Sequence, residues 1–133
     1  MKSEKEIIAH RSVIELPQWI EKVFTGHADY PSALEKLLNS FTPDFRMVTM
    51  AGQDIGFAGV ENLFSNNIGA RPQLRINIDA CETLAESAES VICRYRETQH
   101  NEGTSLIRWS LVIIDIHEGK PLWRYLHETA IVE

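Results

Sequence analysis

The sequence is poor in the features that announce a membrane, a nucleic-acid partner or a reaction. No apolar run approaches the roughly 20 residues of a membrane-spanning helix. The N-terminal stretch MKSEKEIIAH is charged and has no apolar signal core, so the chain is expected in the cytoplasm. Lys and Arg total 13 against 19 Asp and Glu, a net charge of −6. They are scattered, and the basic face that nucleic acid or an anionic membrane requires is missing. No P-loop, G-x-G-x-x-G or G-x-S-x-G elbow occurs, and the glycine-rich GQDIGFAG lacks a lysine and reads as a loop. The histidines His10, His27, His100, His117 and His127 form no i, i+4 pair and meet no C-x-x-C, so neither metal nor cofactor is expected. Two cysteines remain. If residues 86–89 turn, Cys81 and Cys93 lie nearly opposite on paired strands. A disulfide is open to them there, but in a reducing cytosol two buried thiols are the expectation.

What is present is one domain's worth of chain, residues 1–133, with an ordinary apolar fraction. Helical signals come first. Ser3 and Glu6 make an S-x-x-E capping signature before an apolar run, which Pro17 is expected to kink or break and Gly26 to stop. Pro31 opens a second helix, PSALEKLLNSF. FRMVTM reads as a strand, and VENLFSNNI as a short helix that Gly69 can end. Beyond Pro72 four β-rich stretches follow, QLRINIDACETLA, SVICRYRETQH, TSLIRWSLVIIDIH and LWRYLHETAIV, separated by turns short enough for hairpins. Helices before an antiparallel meander make the class α+β.

Residues two apart share a strand face. Read by parity, the odd positions of the last three strands carry Tyr95, Trp109, Leu111, Trp123, Tyr125 and His127. The even positions mix Arg94, Arg96, Arg108 and Glu128 with Ser110, Val112 and Leu126. Two arrangements follow. In one, the odd face packs on the helices and the even face meets water. In the other, the odd face lies between subunits and the helices close over the even face, leaving a cavity with polar walls. Periodicity by itself favours the first.

The element order, together with RETQ at Arg96–Gln99, the hairpin EGK and WRYLHE at Trp123–Glu128, resembles the NTF2-like superfamily. The likeness is to its SnoaL-like and DUF4440 members and to the association domain of calcium/calmodulin-dependent kinase II. It implies a cone-shaped fold, with N-terminal helices packed on a curved, mostly antiparallel sheet. It also implies that Arg96 points into a cavity, which makes the even face the cavity face and the odd face a dimer surface. The cavity expected on this basis is lined by Trp19, Phe45, Met47, Thr49, Phe64, Arg94, Arg96, Arg108, Ser110, Val112, Leu126 and Glu128. The expected homodimer interface is Tyr95, Trp109, Leu111, Trp123, Tyr125 and His127.

Ketosteroid isomerases share the fold the resemblance implies. Their catalytic base falls on Thr49, their oxyanion tyrosine near Trp19 and their acid near Leu111 or Val112, so none of the three is retained. Two functions follow from the resemblance. One is a small-molecule-binding and oligomerisation domain whose arginines hold a small anion. The other is a metal-free lyase, isomerase or cyclase using Glu128 or Asp54 with Arg96. Within either, Glu128 is the expected ion-pair partner of Arg96.

Overall fold

A computed structural model describes residues 2–132. Helix α1 runs Glu4–Thr25. The Ser3 side chain accepts from the backbone of Glu6, and the Glu6 side chain accepts from the backbone of Ser3, so the expected capping box is formed. Gly26 ends the helix at φ 68°, where its backbone N–H reaches back to the last turn. Pro17 does not break α1. The helix continues through it, and the proline is buried on the face turned to the sheet. Helix α2 (Tyr30–Leu38) ends earlier than its apolar pattern suggests, because Phe41 opens strand β1 (Phe41–Val48). Pro43 sits where the pairing of β1 with its neighbour shifts register, a place that tolerates its missing N–H. The glycine-rich stretch contributes a short strand, β2 (Asp54–Gly56), rather than only a loop. Helix α3 (Phe57–Ser65) follows.

The meander consists of β3 (Arg75–Glu86), β4 (Ser90–Asn101), β5 (Thr104–His117) and β6 (Lys120–Ala130). The six strands form one sheet in the order β2-β1-β6-β5-β4-β3. Only β1 with β6 is parallel. The class is α+β, with three helices on one face of a curved sheet.

Turn geometry decides which residues face the helices. The β4–β5 hairpin has a two-residue loop, Glu102–Gly103, with both residues at positive φ. A two-residue loop pairs odd positions with even ones. Tyr95 therefore lies opposite Ser110, and Glu97 opposite Arg108. The odd residues of β4 and the even residues of β5 share the helix side. On β6 a register shift beside Arg124 changes parity once more, so Trp123, Leu126 and Glu128 all face inward.

A second irregularity lies on β3. Asp79 pairs with Arg96 and Glu82 with Arg94, which leaves two residues opposite Tyr95 alone. Ala80, at φ 53°, is the extra residue of this bulge. Ile76 and Ile78 face the helices before it, and Cys81 and Thr83 after it.

The core joins α1, α2 and α3 to the inner sheet face through Val13, Leu37, Phe45, Val60, Tyr95 and Trp123, none more than 2% exposed. Burying such a side chain contributes about 1.5–3 kcal/mol. Trp123 also donates its indole N–H to Ser12 Oγ at 2.8 Å, tying β6 to α1.

Candidate functional site

Between α1, α3 and the inner sheet face lies a cavity of about 140 Å³. Its apolar wall includes Leu16, Pro17, Ile20 and Phe24 from α1, Phe41, Phe45 and Met47 from β1, and Val60, Leu63 and Phe64 from α3. Trp123 and Leu126 close it from β6. Its polar end consists of Tyr95, Glu97 and Gln99 on β4, Arg108 on β5 and Glu128 on β6, with Thr49 nearby.

These polar groups form a chain of contacts. Arg71 donates to Gln99 Oε1 at 3.2 Å, and Gln99 Nε2 donates to Glu97 Oε2 at 2.6 Å. Arg108 donates to Glu128 Oε2 at 2.9 Å and brings its Nε within 3.8 Å of Glu97 Oε2. That Nε–H is buried and has no hydrogen-bond partner among the described residues. One guanidinium thus serves two carboxyls, all three side chains being 8–12% exposed. Burial raises the pKa of Glu97, and Glu128 adds to the rise, while Arg108 and the Gln99 hydrogen bond offset part of it. Burial, chiefly, also holds the Tyr95 hydroxyl well above its ordinary range.

The expected cavity set divides. Phe45, Met47, Thr49, Phe64, Arg108, Leu126 and Glu128 line the cavity. Ser110 and Val112 face the same side but are covered, and Trp19 packs half-buried at the edge of the core. Arg94 and Arg96 do not reach it. The parity change at the hairpin sends them to the outer face, where they straddle the Trp109 ring at 4.7 and 5.8 Å from its centroid. Arg96 pairs with Asp79 rather than Glu128, and Arg94 pairs with Glu82. Asp54 is exposed and bonded to Arg46 at 2.7 Å, away from the cavity.

Of the expected interface residues, Trp109, Leu111, Tyr125 and His127 lie on the outer face. Tyr95 and Trp123 are corrected to the inside, at 2% and 1% exposure. Parity reading also missed Glu97 and Gln99 as cavity residues. The signal that places them was present: EG between two β-rich runs is a two-residue hairpin, which swaps parity.

No family model and no curated protein matches this sequence. Solved structures do. An NTF2-like protein of unknown function from Pseudomonas aeruginosa is 32% identical, with a TM-score of 0.87 over 94% of this chain and 99% of that one. A protein from Streptomyces avermitilis, provisionally named a dehydratase of the NTF2-like family, is 8% identical, with a TM-score of 0.74 over 97% and 99% of the two chains. One from Xanthomonas campestris, provisionally named a calcium/calmodulin-dependent kinase II association domain, is 14% identical, with a TM-score of 0.65 over 94% and 87%. The last two are similar in fold alone.

Proposed function

The chain belongs to the NTF2-like family, and on that premise we propose that its cone binds one small, uncharged, largely apolar molecule whose polar group meets the Glu97–Arg108–Glu128 cluster. The observation that carries this reading is that a single guanidinium faces two carboxyls. The cluster is balanced as long as Glu97 holds its proton, the form that its burial favours. An added anion would face Glu128, while the next cation, Arg71, stands behind Gln99 and does not line the cavity. The arginines that would have favoured an anion, Arg94 and Arg96, lie outside. The size fits one ring, since a dry apolar cavity of roughly 150 Å³ takes a benzene. The unpaired Arg108 Nε–H offers a hydrogen bond to a carbonyl or hydroxyl oxygen.

Benzamide and benzoate share a shape and differ in charge, so calorimetric and thermal-shift titration with the pair is the test. Benzamide is expected to bind and raise the melting temperature while benzoate does not. Leu126→Trp, which fills the cavity, should abolish the response. Benzoate binding as well as benzamide, or unchanged binding by Leu126→Trp, contradicts the reading.

A second reading, metal-free proton transfer of the lyase, isomerase or cyclase kind, draws on the buried, raised-pKa Glu97 beside the cavity. Under it, the protein in heavy water speeds exchange of an acidic C–H of a bound carbonyl compound and Glu97→Gln does not. Equal exchange by both removes Glu97 as the acid or base.

The outer sheet face is proposed as a homodimer surface. Trp109, Leu111, Ile113 and Tyr125 are half-buried there, with no helix covering them among the described residues.

A further inference from the structure

Three residues outside the cone cavity converge where α1 crosses β3 and β4. Ligand atoms of His10, Cys81 and Cys93 all lie within 4.8 Å of one another. None of the three lines the cavity. Cys93 is fully buried, Cys81 and His10 are half-buried, and both cysteines are free thiols. Their meeting depends on the β3 bulge. Without the extra residue, the two-residue period would send Cys81 to the outer face beside the arginines. Ala80 adopts φ 53° to make that bulge, a conformation a β-carbon disfavours. The His10 ring is already oriented: Nε2 meets Thr83 Oγ1 at 2.8 Å, and Nδ1 meets Lys2 Nζ at 3.0 Å. Taking an ion would exchange one of these contacts for a metal bond.

We infer that His10, Cys81 and Cys93 form a binding site for one thiophilic d¹⁰ cation of the zinc class. Two thiolates and a neutral imidazole are ligands such an ion prefers, with a fourth position left for water. Bonds of about 2.3 Å to sulfur and 2.0–2.1 Å to nitrogen put tetrahedral ligand atoms roughly 3.5–3.8 Å apart. The observed cluster therefore needs only a small closure. Binding replaces two S–H bonds by two sulfur–metal bonds and releases two protons to solvent, with no oxidation or reduction. A divalent ion with two thiolates is neutral, which suits a site walled on one side by a fully buried residue.

The reduced full chain, stripped with chelator, is titrated with Co²⁺ and then Zn²⁺. One equivalent of Co²⁺ should give sulfur-to-cobalt charge-transfer absorption in the near ultraviolet. Zn²⁺ should displace it and protect both thiols from alkylation. Cys81→Ser, at a half-exposed position, should lose most of the band and weaken Zn²⁺ binding roughly 100-fold or more, beyond the 10–100-fold cost typical of an outer-shell partner. His10→Gln should weaken it as well while keeping the thiolate band. No band in the wild type, an undiminished band in Cys81→Ser, or a Cys81–Cys93 disulfide that forms equally fast with and without Zn²⁺ overturns the site.

Discussion

Glu97 gives the polar end of the cone its character. Its folded-state pKa is raised, mainly by burial, so the proton stays on it to higher pH than in the unfolded chain. Well below the ordinary carboxylate range both states hold the proton and nothing is lost. As pH rises through that range the unfolded chain releases its proton while the folded chain keeps it, and stability falls until Glu97 ionises in the folded state too. Glu97→Gln should remove this decline, which denaturant titrations from acid to neutral pH would detect as a flatter stability profile. Arg108 is the complementary test. Arg108→Met leaves Glu97 and Glu128 facing each other without a cation, and breaking a buried pair costs about 3–5 kcal/mol. A loss under about 1 kcal/mol in urea unfolding would mean that solvent screens the cluster as it does a surface pair. Charge type was legible in the sequence at this scale, but partnership was not. Arg94, Arg96 and Arg108 look alike in a string of letters, and only the register tells the two bonded to Asp79 and Glu82 from the one inside.

The elements themselves were readable wherever local chemistry dictates them. Ser3 and Glu6 cap α1, Gly26 ends it, and four β-rich runs with short turns become four hairpin-linked strands. What local chemistry does not dictate is face. One extra residue on a strand moves everything after it to the other side, and such shifts occur on β3 and β6. Pro17 shows the same limit, since packing of α1 across the sheet keeps the helix continuous through a residue that breaks isolated ones. The bulge at Ala80 offers a clean measurement. Glycine adopts φ 53° without a β-carbon clash, a relief of about 1–2 kcal/mol, offset by about 0.4–1 kcal/mol of extra freedom in the unfolded chain. Ala80→Gly should therefore stabilise the protein by about 0.5–1 kcal/mol in urea unfolding. A comparable destabilisation would mean that the bulge is not strained.

As a whole molecule, the sheet has two unlike faces. Helices cover one and enclose the cavity, while the other carries half-buried Trp109, Leu111, Ile113 and Tyr125 with no helix over them among the described residues. Ile113 lies between Ile92 and Tyr125, and the arginines nearest to it on this face, Arg94 and Arg124, are already paired with Glu82 and Asp115. Ile113→Asp should shift a homodimer to monomer in sedimentation at micromolar concentration, with the fold retained. A wild type that sediments as a monomer would overturn the dimer, and a variant that stays dimeric would move its interface elsewhere. The cavity and this face are independent, so ligand binding should survive in the monomeric variant. What the cavity accepts depends on whether its polar end is neutral, and the proton on Glu97 reports that directly. In a carbon-13 NMR titration of the Glu97 carboxyl carbon, the midpoint is expected clearly above the ordinary carboxylate value of 4.5 and unmoved by Ile113→Asp. A midpoint at or below 4.5, or one below the pH of the ligand titrations, would leave Glu97 charged beside Arg108 and contradict a neutral ligand site.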